Sequence, residues 1–151
     1  MTTHRSRLRV RFSELDPYAH VNHSVYLVYF EAGRVEAMLD VGVDLAALQH
    51  AGWQLVVVDL AVRYRASAVA SEELVVETAM VDLTGASTRW HQRVVRADDG
   101  TVLCEADLRI AVTDERGRPR RVPPDLRARL EGLRGEPPVE EAGGPHREPH
   151  G

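Results

Sequence analysis

The sequence predicts an α+β fold in which a five-stranded antiparallel sheet wraps around one long central helix. Three observations support this prediction. Five stretches alternate between apolar and polar residues, which is typical of half-buried strands. One stretch between the first and second of them repeats its apolar residues at helical spacing instead. Short turn sequences connect the last three strands, which predicts hairpins.

The alternation predicts which residues of each strand face the core. The second strand is predicted over about residues 53–65 and the third over about 73–83. The third alternates less cleanly than the others, which predicts cover on both of its faces. The predicted core-facing residues of the other strands are Leu8, Val10 and Phe12; Val58, Leu60, Val62 and Tyr64; Trp90 and Val94; and Val102, Cys104, Ala106, Leu108, Ile110 and Val112.

Two turns determine the predicted order of the last strands. Thr84-Gly85 and the run from Asp98 to Gly100 are both short enough for hairpins, so strands three to five should form an antiparallel meander. Such a sheet has open edges and an uncovered face. We therefore expect a homodimer joined edge to edge, or a homotetramer built from it.

The long helix is predicted over about residues 24–39, where Asn22 or Ser24 caps the start and Gly42 ends it. Further apolar residues lie off its main stripe, as expected when a sheet wraps around a helix. The predicted stripe consists of Val25, Val28, Tyr29, Ala32, Val35 and Leu39. A second, short helix should begin after the cap residue Asp44 and end at Gly52.

The chain is expected to form one domain over residues 1–134, which ends with a short amphipathic helix at about 123–133. Residues 135–151 are rich in Pro and Gly and almost free of large apolar groups. Such a segment cannot bury enough apolar surface to offset the entropy lost on ordering, so it is expected to be disordered.

Composition excludes several classes of partner. The formal net charge is −4 and the basic side chains are all Arg, so there is no overall basic field for nucleic acid or an anionic membrane. No apolar run is long enough for a signal peptide or a membrane span. Cys104 is the single cysteine, which excludes an internal disulfide and fits the cytoplasm, the expected location.

The segment from Asp16 to Glu31 is dense in polar groups where the first strand gives way to the helix. The first backbone N–H groups of a helix have no partner within it, and the helix dipole adds partial positive charge there. Such N–H groups stabilise an acyl oxygen that gains negative charge. A carboxylate in the same loop, Asp16, completes a site that could hydrolyse an activated acyl group.

This segment resembles the signature of the 4-hydroxybenzoyl-CoA thioesterase-like branch of the hot-dog superfamily. Here the signature consists of Asp16, Pro17-Tyr18-Ala19, His20-Val21-Asn22-His23, Ser24-Val25, Tyr26-Leu27, Tyr29-Phe30-Glu31 and Arg34. The resemblance implies the hot-dog fold and an acyl-CoA thioesterase. It implies that Asp16 is the general base or nucleophile and that the backbone N–H near His23 polarises the thioester carbonyl. His23 stands where Asn is commoner, and Ala19 stands where Gly is frequent.

Three neighbours are candidates for substrate contact. Tyr26 could form a wall of the acyl pocket. Asn22 could steady Asp16, although a helix cap is its simplest role. His20 is expected mainly to support the loop, with its ring packed or hydrogen-bonded beneath it.

No cofactor or metal is expected. His20 and His23 lie three residues apart with carboxylates nearby, but a firm third ligand is missing. A thioester is already activated, so a base and one oxyanion donor suffice. The alternatives to an acyl-CoA substrate are an acyl-carrier-protein thioester, a non-catalytic acyl-CoA-binding module and a hot-dog hydratase.

Overall fold

The computed structural model describes residues 3–136. Of the segment predicted to be disordered, only Gly135 and Glu136 fall within this range, and the domain boundary at 134 stays a prediction. The elements are β1 (His4–Arg9), a short 3-10 helix (Phe12–Glu14), α1 (Val25–Asp40), α2 (Leu45–His50), β2 (Trp53–Tyr64), β3 (Glu73–Thr84), β4 (Ser87–Arg96), β5 (Val102–Asp114) and α3 (Pro124–Glu131). None of the helices in residues 3–136 is both long and apolar enough to cross a membrane.

The five strands form one sheet in the order β1-β3-β4-β5-β2, and every neighbouring pair is antiparallel. The predicted meander of the last three strands is therefore confirmed. Gly85 has a positive φ of 57° in the turn between β3 and β4, a conformation that favours glycine. The strand β2 lies beside β5, the last strand in sequence, and forms one edge of the sheet.

The long helix α1 packs against β1, β3 and β4, as the sequence predicts for a central helix. Its buried face differs from the predicted stripe, because Val28 and Leu39 are 58% and 48% exposed. The residues that face the sheet are Tyr26, Tyr29, Phe30, Gly33, Arg34, Ala37 and Met38. Tyr29 belongs to both sets, but the other buried positions lie on a neighbouring face of the helix. Since α1 is apolar on more than one face, periodicity alone could not decide which face meets the sheet.

Four residues that were predicted to face the core are exposed instead, which are Phe12, Val58, Leu60 and Tyr64. Phe12 is 84% exposed because the chain leaves β1 after Arg9 and enters the 3-10 helix, where strand alternation no longer applies. Val58, Leu60 and Tyr64 are 47%, 37% and 50% exposed because they lie on the edge strand β2, whereas α1 packs mainly against β1, β3 and β4. A β-bulge between Val57 and Asp59 also shifts the alternation at Val58. The residues paired with the inward face of β5 are therefore Val57, Leu60, Val62 and Tyr64.

A buried polar side chain that the sequence analysis did not identify links α1 to the sheet. Gln92 on β4 is fully buried. Its Nε2 donates to the Phe30 carbonyl oxygen and to Thr78 Oγ1, each at 2.9 Å, and its Oε1 accepts from Arg34 Nη1 at 2.9 Å. Burial lowers the pKa of the Arg34 guanidinium. The amide of Gln92 thus makes hydrogen bonds to buried polar groups of both the helix and the sheet.

The closest approach between helix and sheet occurs at Gly33, and it generates a stability prediction. A Cβ atom at this position would overlap Cγ1 of Val76 and lie 3.3 Å from Oγ1 of Thr78. Overpacking a core costs about 1–3 kcal/mol, and direct overlap places this site in the upper part of that range, at about 2–3 kcal/mol, whereas Gly→Ala in a helix normally gains about 1 kcal/mol. We expect Gly33→Ala to lower the free energy of unfolding by about 1–2 kcal/mol, measured by urea denaturation.

Ala32, on the exposed side of the same helix, is the matched control. Ala32→Gly should lower the free energy of unfolding by about 1 kcal/mol through helix propensity alone. A Gly33→Ala variant as stable as the wild type, or more stable, would contradict the close approach of α1 to β3.

Candidate active site

The loop between β1 and α1 is held at both ends by backbone hydrogen bonds. The Val21 N–H donates to the Ala68 carbonyl oxygen at 2.9 Å, and the Asn22 N–H donates to the Glu14 carbonyl oxygen at 2.9 Å. Within the loop, the Asp16 N–H donates to the His20 carbonyl oxygen at 2.7 Å. Residues 16–20 are thereby closed into a tight turn beside the start of α1.

The carboxylate of Asp16 is partly buried and held by this turn. Its Oδ1 accepts from the N–H groups of Tyr18 at 2.8 Å and His20 at 3.2 Å. Ala19 closes the turn with a φ of 61°, in the left-handed region that favours glycine. This explains why glycine is frequent there in the family. With alanine the turn carries strain of about 1–2 kcal/mol.

The start of α1 is arranged by Asn22, one of the two predicted cap residues. Its Oδ1 accepts from both the N–H and the Oγ hydroxyl of Ser24, at 3.1 and 3.0 Å. Ser24 is the N-cap residue by position but makes no side-chain cap bond. Between them lies His23, whose backbone N–H donates to no acceptor within residues 3–136. A donor without a partner therefore lies two residues before the first residue of α1. That this N–H polarises a thioester carbonyl stays a prediction.

Tyr26 is almost fully buried, and its ring lies edge-on to those of Tyr29 and Tyr64, with centroid distances of 5.9 and 5.8 Å. Its hydroxyl oxygen accepts from the Ala68 N–H at 3.2 Å. Burial raises the pKa of Tyr26, so the ring is a neutral wall between α1 and the strand β2.

Two further residues near Asp16 were not identified from the sequence. Glu14 Oε1 accepts from the Arg11 N–H at 2.8 Å and from the Tyr29 hydroxyl at 3.0 Å. Burial, together with the hydrogen bond to Glu14, raises the pKa of Tyr29 well above its ordinary value, so its hydroxyl remains a donor. Glu14 lies two residues before Asp16, and in the sequence only this short spacing indicated that Glu14 lies near the site.

The second unidentified residue is Tyr64, at the end of the edge strand. Its hydroxyl donates to the His23 carbonyl oxygen at 2.8 Å, and its ring lies edge-on to the His23 ring at 6.4 Å. Its place in the alternation of β2 indicated a core-facing side chain. No local pattern indicated that it contacts a residue 41 positions earlier.

These groups surround an open pocket of about 320 Å³. The lining residues are Asp16, His20, Val21, His23, Tyr26, Tyr64, Arg65, Ala66 and Ser67. The pocket therefore brings together four of the five predicted site residues, and Asn22 is the exception. The prediction that the His20 ring packs beneath the loop is wrong, because His20 is exposed and its ring makes no hydrogen bond within the described residues. Its backbone does support the loop.

No group of three or more His, Cys, Asp or Glu side chains in the described part of the chain is placed to hold a metal ion. His20 and His23 share the pocket with a single carboxylate, Asp16. The pocket-lining residues offer a carboxylate, a free backbone N–H, two imidazole rings, the guanidinium of Arg65 and the tyrosine walls.

Comparisons with known proteins agree with this geometry. The sequence matches the thioesterase-like superfamily over residues 10–130. The acyl-CoA thioester hydrolase YbgC of Escherichia coli O6:H1 is 28% identical over 126 residues, which are 83% of this chain and 93% of that protein. The acyl-acyl carrier protein thioesterase ATL2 of Arabidopsis thaliana is 27% identical over 125 residues, 83% of this chain and 66% of that protein.

Among solved structures, the hypothetical protein TT1821 from Thermus thermophilus superposes with a TM-score of 0.80 at 32% identity. The match covers 85% of this chain and 98% of that one. The family match covers most of the chain, and the predicted hot-dog fold is confirmed. The chain therefore belongs to the thioesterase-like superfamily and is a thioester hydrolase with the hot-dog fold.

Proposed function

We propose that this enzyme is an acyl-CoA thioesterase whose reaction takes place in the pocket beside Asp16. The observation that carries the proposal is that the Asp16 carboxylate and the free N–H of His23 belong to residues lining one pocket. A base or nucleophile and an oxyanion donor are the two groups that thioester hydrolysis needs. Water and acyl-CoA would give a carboxylic acid and CoA.

In the base route, Asp16 takes a proton from water as the water oxygen attacks the thioester carbon. The carbonyl oxygen becomes an oxyanion, which the His23 N–H stabilises. The C–S bond then breaks, and the proton passes to the departing sulfur. In the nucleophile route, Asp16 attacks the same carbon, the thiolate leaves, and water hydrolyses the resulting anhydride. The bonds from Tyr18 and His20 to Oδ1 orient the carboxylate in either route.

A charged residue of the pocket, Arg65, supports CoA as the carrier of the acyl group. Arg65 follows the last residue of β2, lines the pocket, and has its Nη2 atom 3.5 Å from Oε2 of Glu105. A guanidinium at the rim suits the phosphates of CoA. The likeness to ATL2 supports the second candidate, an acyl group on a carrier protein. A hydratase and a non-catalytic binding module are the remaining alternatives, and both would leave the thioester bond intact.

We further propose that two chains associate through β2, whose outer edge has no strand beside it in the sheet of the described residues. An unpaired edge offers free N–H and C=O groups to another strand. Apolar residues along it are 37–47% exposed, which is unusual for an edge that faces only water. They are Val56, Val57, Val58 and Leu60. A tetramer would add a second interface, and the cytoplasmic location stays a prediction from the sequence.

Replacing the proposed base tests the function directly. We expect wild-type protein to release free thiol from acyl-CoA, and Asp16→Asn to lower kcat by about 10²- to 10⁴-fold, because the amide neither accepts the proton nor attacks the carbonyl. The measurement is thiol release over a panel of acyl-CoAs of different chain lengths and with aromatic acyl groups, followed by acyl-carrier-protein thioesters.

Asp98, in the exposed turn before β5, is the matched control, and Asp98→Asn should keep full activity. A folded Asp16→Asn variant with wild-type kcat would disprove the role of Asp16. Binding of acyl-CoA without thiol release from any thioester would favour the non-catalytic module.

The edge of β2 provides a test of association. Val58→Lys places a charge at the exposed bulge without disturbing the core, and charged residues on edges oppose strand pairing. We expect wild-type protein to have at least twice the 16.8 kDa chain mass by light scattering, and Val58→Lys to shift toward the single-chain mass. The control Val69→Lys, at an exposed valine outside the strands, should keep the wild-type mass.

The cysteine should not interfere with thiol assays. Cys104 is fully buried, and burial raises the pKa of its thiol to about 12. Since the thiolate is the reactive form, native protein should consume almost no Ellman's reagent at pH 8, whereas denatured protein should consume one equivalent per chain. Rapid reaction of the native protein would show that β5 is not packed as described.

A further inference from the structure

Tyr64 makes the only side-chain hydrogen bond to the backbone of His23 among the described residues. The bond joins the end of β2 to His23, which lies two residues before the first residue of α1, across 41 positions in the sequence. Tyr64 is 50% exposed, lines the pocket with Asp16 and contacts Tyr26 with its ring. It therefore belongs to the pocket wall, although it lies far from the signature segment in sequence.

The backbone around His23 is otherwise held by Asn22. The Asn22 N–H donates to Glu14, the Ser24 N–H donates to Asn22 Oδ1, and the Val25 N–H donates to the Asn22 carbonyl oxygen. These bonds restrain the residues on both sides of His23 but leave its own peptide groups free. The Tyr64 hydroxyl restrains the His23 carbonyl, which leaves the N–H as the one unpaired backbone group of that residue.

We infer that Tyr64 is a positioning residue, whose hydroxyl holds His23 so that its N–H is oriented for the thioester carbonyl oxygen. The catalytic consequence of this inference rests on the proposed function. A donor contributes to an oxyanion hole only when it is oriented before the charge develops, since reorientation during the reaction would cost the energy gained. Tyr64, at the end of β2, provides that restraint from outside the loop.

The hydroxyl of Tyr64 suits this role chemically. Burial raises the pKa of the phenol above its ordinary value, so it stays protonated and able to donate throughout a normal assay range. Its ring contacts with His23 and Tyr26 are edge-on and do not need the hydroxyl. Tyr64→Phe therefore removes the hydrogen bond to the His23 carbonyl and keeps the aromatic wall.

The test measures Tyr64→Phe in two ways. We expect kcat for thiol release to fall about tenfold with KM within twofold of the wild type, because misorientation of a donor weakens transition-state binding more than substrate binding. We also expect the ¹⁵N order parameter of the His23 amide to fall from about 0.85, typical of rigid backbone, to about 0.7. The pH profile of kcat should keep its shape, since Tyr64 is not the base.

Thr113→Val is the matched control, because Thr113 also donates a hydroxyl to a backbone carbonyl, that of Asp114 at 3.1 Å, but at the far end of β5. It should leave kcat and the His23 order parameter unchanged. An unchanged His23 order parameter in Tyr64→Phe, a kcat within twofold of the wild type, or an equal loss in Thr113→Val would overturn the inference. If the wild-type protein hydrolyses no thioester, the proposed function fails, and the order parameter still decides whether Tyr64 holds His23.

Discussion

The close packing of α1 on β3 is the constraint on which the rest of this structure depends. Gly33 allows the helix backbone to approach Val76, and no larger residue fits there without displacing the strand or the helix. Gln92 then donates hydrogen bonds to the Phe30 carbonyl oxygen and to Thr78 Oγ1 where the helix meets the sheet. With the helix axis held against the sheet, the start of α1 lies where the loop of Asp16 and the end of β2 both reach it. The pocket therefore depends on the close packing of α1 against the sheet.

Backbone groups make most of the interactions in the site. This explains why His23 and Ala19 can stand where other residues are commoner. Asp16 is oriented by two N–H groups, and the proposed oxyanion donor is a third, at His23. A side-chain change at 23 leaves that N–H in place, so histidine can replace the commoner asparagine. Ala19 keeps the left-handed turn that glycine would adopt more easily. Two more distant groups hold this backbone, which are the Tyr64 hydroxyl from the end of β2 and the Glu14 carbonyl oxygen from the 3-10 helix.

Much of the fold followed from patterns that are local in sequence. Period-two alternation and short turns predicted the strands and the meander, because side-chain direction in a strand depends only on position along it. The predictions failed at Phe12, where the backbone enters a 3-10 helix, and along the edge strand β2, where Val58, Leu60 and Tyr64 are exposed. The sequence also did not determine which face of α1 is buried, because its apolar residues cover more than one face. Packing against the sheet decides which of these faces is buried.

The sequence by itself determined the elements, the family and the segment of the candidate site, since a turn, a helix start and a catalytic loop are made by neighbouring residues. Only the tertiary structure decided which distant side chains support that segment and which face of the helix is buried. Tyr64 reaches His23, and Gln92 reaches Phe30, because the sheet brings together residues that are 41 and 62 positions apart. Such contacts depend on strand register and helix depth, and these are properties of the packed domain that no local pattern contains.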